Sequence, residues 1–568
     1  MSTDRDTFVS NLIDKMTLEQ KVGQCFVIGF CGTVVTPSIL KRIRTIKPAG
    51  IRAGLTFRAK TALHDPYATS EVFAHRVLRD PTGSVKDIIP GILPPHCTNE
   101  EYCEFLNTMK EEALKDGLGI PLHITMDLEG DVSCDYTRGG LFNLPSPMGA
   151  TVSGDKQMAY DAAWATGRQL NALGVNWLHS PVLDTNTEPM NPEIGTRAYG
   201  EKPDQVIEYG EEGYKGFKAS GIITTGKHFP GRGESVTDAH RGLPVIDMPR
   251  EEMDQHLKPF KAMVDAGIPC IMTAHTVYPC LDPDNAATLS KKILTDLLKN
   301  EWGFEGCVTT DDITMGGIVE KYEVDQACVA SLNAGCDLIL LRDEAPLIDE
   351  VFEKVVQAVR DGKLPEERIN DAVRRSLGVK FDYGLFENGN LRDVAQASSG
   401  IKDPKVAQIA RVTAEKAVKL LRAEAGLLPL SKETKVLVIE QRCPLHFRTE
   451  TQKCHPGILW EAFFGRSQDP GQVEVEMVPS EYDMKRIMKR IEADDFDVIV
   501  TSNYYDRRAH SKSLFVDEMV KATNKPIIVV TNSPYPYTVD DAYKTVICTY
   551  GVAPESLTAA VKTIYGDK

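Results

Sequence analysis

Short apolar, β-rich runs alternate with amphipathic helical stretches over residues 25–341, and this alternation limits the fold more than any other feature of the chain. The runs are Cys25 to Phe30, Ile51 to Phe57, Leu122 to Asp127, Asn176 to Asp184, Ile222 to Phe229, Pro269 to His275, Gly306 to Asp312 and Asp337 to Leu341. Between them lie stretches with helical periodicity, such as Tyr160 to Leu173, Pro203 to Ser220, Glu251 to Ala266 and Leu289 to Trp302. Strands joined through helices run parallel, and eight such units predict a (β/α)8 barrel of the TIM type. Asp127, Asp184, His228, His275 and Asp311 all fall at the C-terminal ends of their runs, where a barrel of this kind assembles its site. An open doubly wound sheet would gather its ligands at one switch point instead.

After Phe381 to Asn390 the barrel pattern stops, and a Gly/Ser/Asp-containing stretch leads to Pro404. A helical segment, Val406 to Leu421, follows, and then strand-like runs at Lys435 to Glu440, Val498 to Ser502, Pro526 to Thr531 and Thr545 to Tyr550. With helices at Asp483 to Ile491, Lys512 to Ala522 and Ser556 to Tyr565, this predicts a second, smaller α/β domain. The expected division is therefore a barrel over 1–385, a linker over 386–404 and the α/β domain over 405–568. A chain of 568 residues exceeds one ordinary domain.

Bulk charge narrows the partners. A formal net charge of −16 argues against duplex nucleic acid or an anionic membrane surface, either of which needs a basic patch. No apolar run approaches the roughly 20 residues that span a bilayer. The start, Met1-Ser2-Thr3-Asp4-Arg5-Asp6, is polar and acidic, which predicts a cytoplasmic protein. The 13 cysteines are odd in number and scattered, so they read as reduced, buried thiols. Cys443, His446, Cys454 and His455 match no structural-zinc spacing. A small molecule of neutral or mixed charge fits better as partner, with no metal or other cofactor expected, and a homodimer is left open.

Two segments carry chemistry. Lys227-His228-Phe229-Pro230-Gly231-Arg232-Gly233-Glu234-Ser235-Val236-Thr237-Asp238-Ala239-His240 follows a β-like run, and its glycines allow positive φ, so polar side chains can be aimed into a cleft. Asp238 sits two residues from His240. A carboxylate there can accept the Nδ1–H of the ring, fix the tautomer and leave Nε2 free to exchange a proton. The second segment, Cys307-Val308-Thr309-Thr310-Asp311-Asp312-Ile313-Thr314-Met315, is a β-branched run ending in adjacent acids. Neighbours on a strand point to opposite sides, so one of Asp311 and Asp312 faces the site.

Together these segments resemble glycoside hydrolase family 3, and within it the β-N-acetylglucosaminidase branch with its loop pattern K-H-F-P-G-x-G-x(4)-D-x-H. Ser180 to Thr187, Asn191-Pro192-Glu193-Ile194-Gly195-Thr196-Arg197, Met272-Thr273-Ala274-His275 and Ala287 to Ser290 extend the likeness over roughly residues 10–385. The resemblance implies a retaining hydrolase of terminal β-linked N-acetylglucosamine. It makes Asp311 the nucleophile that forms a glycosyl-enzyme, His240 the acid/base and Asp238 its orienting partner. Asp127, Arg197, Lys227 and His228 match the sugar-binding positions, while Asp184 and His275 read equally as supports. It also implies a C-terminal sandwich for the second domain. The family usually carries D-Q-E-G-G-R-V-x-R after the third strand, whereas this chain has Asp127-Leu128-Glu129-Gly130-Asp131-Val132-Ser133-Cys134-Asp135. Both arginines are missing, with Arg138 a nearby substitute, and Arg232 stands where a histidine is common. The alternatives are a phosphorylase, a glycosidase for another β-linked sugar, a catalytically silent saccharide-binding barrel, and a metal-dependent hydrolase using His228, His275 and Asp311.

Overall fold

A computed structural model of the protein describes residues 2–54, 97–115, 117–136, 139–240, 242–342, 347–443, 457–505 and 515–567. Eight parallel strands close into a barrel: β1 (Phe26–Cys31), β2 (Gly50–Gly54), β3 (His123–Met126), β4 (Trp177–Leu178), β5 (Ile223–Phe229), β6 (Cys270–Thr273), β7 (Cys307–Asp312) and β8 (Leu338–Leu341). Each strand pairs with its neighbours in sequence, and β8 returns to β1 with Ile339 opposite Phe26. Every run read from the sequence delivers one barrel strand. The run through Asn176 to Asp184 gives only two residues of β4, because Pro181 has no N–H for the ladder and the chain rejoins the barrel only as a bridge from Val182 to Lys227. Residues 55–57 of the second run lie outside the described residues, as do Arg138, His446, Cys454 and His455.

The barrel closes because its strands alternate two apolar faces. Val27, Trp177, Ile223, Cys270, Met272, Cys307, Leu338 and Leu340 form the inner cluster. Phe26, Ile28, Ile339 and Leu341, their immediate neighbours, pack outward under the helices. The helices answer with apolar stripes at three- and four-residue spacing, as in helix Leu347–Arg360, which buries Leu347, Ile348, Val351, Phe352, Val355, Val356 and Val359.

A second sheet comprises β9 (Lys419–Arg422), β10 (Val436–Gln441), β11 (Gly471–Val475), β12 (Val498–Ser502), β13 (Ile527–Thr531) and β14 (Thr545–Cys548). Their order is β9-β14-β13-β12-β10-β11, parallel except where β9 meets β14. Val436, Val438, Val498, Val500, Ile528 and Val530 face helix Pro554–Tyr565. Leu437, Ile439, Ile499 and Val529 face helices Glu481–Glu492 and Phe515–Ala522. Helices on both faces make it a sandwich. The expected linker is held down: Lys110 Nζ donates to Asn390 O at 2.8 Å, Asn107 Nδ2 to Arg392 O at 2.8 Å and Ser398 Oγ to Glu100 at 2.6 Å.

The sandwich rests on loops at the C-terminal end of the barrel. Ser146 N donates to Tyr550 O at 2.7 Å, Asn532 Nδ2 to Asp131 Oδ2 at 2.8 Å and Tyr535 OH to Glu201 at 2.9 Å. Met148, Ala417, Tyr535, Cys548 and Tyr550 form an apolar cluster across the junction. Among the described residues no helix is long and apolar enough to cross a membrane, and eleven of the cysteines, the first Cys25 and the last Cys548, are free thiols.

Candidate active site at the C-terminal end of the barrel

Strand β5 ends in a loop that folds back on the loop after β4. Gly231 has φ +119°, a conformation closed to most side chains, and a Cβ on Gly233 would sit 1.6 Å from Thr185 O. The first glycine thus makes the turn and the second permits a close approach. Arg232, between them, donates its backbone N–H to Asp184 Oδ1 at 2.8 Å.

Further along the loop, Asp238 and His240 form the expected pair. Asp238 Oδ1 accepts the backbone N–H of His240 at 2.8 Å and its Nδ1–H at 2.7 Å, which orients the ring and leaves Nε2 unspent. A second carboxylate, Glu193, lies 3.2 Å from the same Nδ1. Burial opposes a charge on the ring, but Asp238 and then Glu193 outweigh it and raise the His240 pKa above the ordinary imidazole value.

The adjacent acids of β7 separate where its pairing with β8 shifts register, between Thr309 and Asp312. Asp311 keeps 17% of its side chain exposed. Its Oδ1 accepts the Asp312 N–H at 2.8 Å, and its Oδ2 lies 3.6 Å from Arg232 Nη2 and 3.9 Å from His228 Nε2. Burial would raise its pKa, yet Arg232 above all, with His275 and His240, holds it below the ordinary carboxylate value. Asp312 is buried and caps a turn, accepting from Thr314 N at 3.2 Å and Thr314 Oγ1 at 2.8 Å.

Beside Asp311 lies a charged floor. Asp127, just past β3, accepts from Lys227 Nζ at 3.0 Å and from Arg52 Nη2 at 2.7 Å. Glu129 accepts a two-pronged bond from Arg197, Nε at 2.6 Å and Nη2 at 3.0 Å, and pairs with Lys227 at 2.5 Å. Despite burial, Arg197 and Lys227 press the Glu129 pKa down to about 2, and Lys227 and Arg52 hold Asp127 well below its usual range. Exposure sorts these groups: Asp127 keeps 19% and His240 23% of the side chain open, against 1–3% for Glu129, Glu193, Lys227, His228 and Arg232. The structure therefore brings Asp127, Arg197, Lys227, His228, Asp238, His240 and Asp311 to one end of the barrel. Asp127, His240 and Asp311 present the most open surface.

The missing arginines of the third-strand loop have a local explanation. Asp135, where an arginine is usual, draws in Arg52 from β2, and Arg342 from the end of β8 at 3.4 Å. Positive charge thus arrives from other strands. Asp131 takes φ +48° where glycine is usual and accepts from Asn532 of the sandwich.

His228 and His275 are held by their surroundings. His228 donates Nδ1–H to Asp184 Oδ2 at 2.7 Å. Burial, with Arg232, Arg197 and Lys227 nearby, keeps its pKa well below the usual value, so the ring is neutral and Nε2 is an acceptor facing Asp311. Burial raises Asp184 to about 6. His275 spends both nitrogens: Nε2 donates to Asp312 O at 2.9 Å and Nδ1 accepts from Thr288 Oγ1 at 2.7 Å. That leaves His275 no lone pair for a metal. Glu193, Asp238 and His240 bring ligand atoms within 4.8 Å of one another. Arg232 already occupies Glu193 Oε1 at 2.6 Å, and the His240 Nδ1–H is spent on Asp238, so a cation would have to displace both.

Glu129, Glu193 and Arg52 were missed as site residues. The first two lie inside quoted motifs, and Arg52 is a charge within an apolar strand, a signal in itself. The sandwich also reaches the site: Tyr505 OH donates to Pro192 O at 2.6 Å and Tyr537 OH to Met190 O at 3.0 Å, on the loop that carries Glu193. A cleft between the two parts is lined by Glu193 and Arg197 on one side and Tyr505 and Tyr537 on the other.

Comparison with known proteins is consistent across sequence and fold. The glycosyl hydrolase family 3 N-terminal domain model matches residues 85–379. A β-N-acetylglucosaminidase/β-glucosidase of Cellulomonas fimi is 32% identical over 326 residues, covering 55% of this chain and 57% of that protein. β-Hexosaminidase A of Pseudoalteromonas piscicida is 30% identical over 353 residues, 58% of each chain. This chain thus spans less than two thirds of the length of either relative. A solved family 3 β-N-acetylglucosaminidase from Paenibacillus sp. str. FPU-7 superposes with TM-score 0.80 at 26% identity, covering 97% of both chains.

Proposed function

Because the chain belongs to glycosyl hydrolase family 3, we propose that it is a retaining β-N-acetylhexosaminidase, releasing terminal β-linked N-acetylglucosamine through a glycosyl-enzyme on Asp311. A barrel over residues 1–385 carries the chemistry, joined through 386–404 to the sandwich over 405–568. The observation that carries the reading is the placement at one end of the barrel of a partly open carboxylate, Asp311, and an imidazole poised by Asp238, joined through Arg232 and Glu193. Retention needs such a pair, a nucleophile on one face of the anomeric carbon and a proton donor near the leaving oxygen. The named activities of the Cellulomonas, Pseudoalteromonas and Paenibacillus proteins agree with it.

In the first step an Asp311 oxygen attacks the anomeric carbon, and His240 Nε2–H protonates the departing oxygen as the bond to the aglycone breaks. In the second, His240 Nε2 removes a proton from water, which attacks the same carbon and frees Asp311. The floor holds the ring. Asp127 accepts sugar hydroxyls, Lys227 retains one N–H beyond its two ion pairs, and Arg197 retains N–H groups beyond those bound to Glu129 and Glu193 O. His228 Nε2 accepts a hydroxyl proton next to Asp311.

Aryl β-glycosides test the assignment. Release from the N-acetylglucosaminide but not the glucoside is expected, and no release from any sugar would leave only a saccharide-binding barrel. Peptide mass spectrometry after a 2-fluoro-sugar inactivator should place the adduct on Asp311. Turnover in phosphate that yields sugar 1-phosphate would reassign the acceptor. Activity should survive EDTA, since His275 has no nitrogen to give a metal.

A further inference from the structure

Behind the His240–Asp238 pair, Glu193 is buried at 1% exposure and makes three contacts. Its Oε1 lies 3.2 Å from His240 Nδ1 and 2.6 Å from Arg232 Nη2, and its Oε2 accepts the Ala239 N–H at 3.3 Å. Arg232 in turn lies 3.6 Å from Asp311 Oδ2. One buried anion thus touches the ring, the peptide between the two dyad members, and the guanidinium that faces the proposed nucleophile.

We propose that Glu193 is a positioning residue for the acid/base imidazole, and that the Glu193–Arg232 pair links the charge on His240 to the charge on Asp311. The inference rests on the roles given to those two residues above. A single Nδ1–H cannot serve two carboxylates, and at 2.7 Å it goes to Asp238. Glu193 therefore acts on the ring by charge, favouring the imidazolium that the first step consumes. Among the described residues, the charged groups acting on His240 are Asp238 on its own loop, Glu193 from the loop after β4 and Asp311, with Arg232 from the tip of β5 between the last two.

The linkage matters because the same imidazole must be an acid first and a base second. When Asp311 attacks, its carboxylate becomes a neutral ester and the His240 proton leaves with the aglycone. Among the described residues, Glu193 is then the remaining carboxylate within ion-pair distance of the Arg232 guanidinium. The guanidinium is shared no longer, so it offsets more of the Glu193 charge and the ring feels less negative field. The imidazole is left deprotonated when water arrives. Arg232 bears two buried nitrogens, Nε and Nη1, without a hydrogen-bond partner among the described residues, so its hold on either carboxylate is free to adjust.

The test is Glu193→Gln, read first by NMR titration of ring-labelled histidine in the resting enzyme, with His240 assigned by its loss in His240→Gln. The His240 midpoint should fall by about one pH unit. The alkaline limb of kcat/KM should fall with it, costing about tenfold above that limb on substrates with poor leaving groups, while the acid limb stays or moves lower. A merely structural Glu193 would lower kcat alike at every pH and leave the titration where it is, and an unmoved midpoint overturns the proposal. If circular dichroism shows Glu193→Gln unfolded, Glu193→Asp is titrated instead: it keeps the buried charge but draws the carboxylate back from the ring, so a smaller fall is expected and an unmoved midpoint is equally decisive. The titration needs no substrate, so a wild-type enzyme that cleaves no glycoside defeats the functional reading separately.

Discussion

The proposed first step needs Asp311 ionised and His240 protonated, and their surroundings push those two equilibria apart. Asp311 titrates below the ordinary 3.8, chiefly through Arg232 against the cost of burial, so its carboxylate is lost only as pH falls through that lowered value. His240 titrates above the ordinary 6.5, through Asp238 and Glu193, so its proton is lost as pH rises through that raised value. A kcat/KM profile should therefore be bell-shaped, with its acid limb below 3.8 and its alkaline limb above 6.5. An alkaline limb at or below 6.5 would contradict the carboxylate pairing of the ring. Asp311→Asn should lower kcat by roughly 10³-fold or more with the fold intact by circular dichroism. His240→Ala should cost about 10²- to 10⁴-fold on poor leaving groups and far less on activated aryl ones, and equal losses on both would remove the proton-donor role. These residues were legible because each sits in a contiguous motif: Asp238 and His240 are two apart, and Asp311 ends a β-branched run. Glu193 and Glu129 were not, since their importance lies in partners far along the chain, Arg232 and Arg197, that only folding brings near.

At the scale of elements, the site depends on how two loops interlock. The loop after β5 lies against the one after β4 because Gly233 has no side chain to strike Thr185 O. Gly233→Ala places a carbon 1.6 Å from a backbone oxygen, which no side-chain rotation relieves. We expect about 1–3 kcal/mol lost in a urea melt and a larger relative loss in kcat/KM, because both loops must part. Wild-type activity in that variant would show that the interlock does not govern the chemistry. The strands themselves were readable because a barrel strand is apolar on both faces, as with Leu338 to Leu341, and so stands out as a continuous run. Two sandwich strands escaped for the opposite reason. β9 and β11 are the edges of their sheet, and Leu420 and Leu421 are exposed while Gly471 to Val475 alternates with polar residues. Breaks such as the early end of β4 follow from a single Pro181 and not from any loss of apolar character.

At the scale of the whole molecule, the sandwich acts as a brace for the end of the barrel that holds the candidate site. Its tyrosines bond the backbone of the loop that carries Glu193, through Tyr505 to Pro192 O and Tyr537 to Met190 O, and their rings stack at 4.8 Å. Asn532 holds Asp131 on the third-strand loop, and the apolar cluster around Met148, Tyr535 and Tyr550 seals the junction. A hydroxyl removed from such a contact typically costs about 1 kcal/mol, too little to separate the two parts. Tyr505→Phe with Tyr537→Phe should therefore keep a nearly native melting temperature while kcat/KM falls up to about tenfold, since the loop loses its registration and not its fold. The junction itself buries apolar surface on both sides, so exposing it by unfolding either part destabilises the other. Calorimetry of the wild-type chain should accordingly show one cooperative transition, and two resolved transitions, with activity lost in the first, would mean that barrel and sandwich stand independently and that the brace is only a contact.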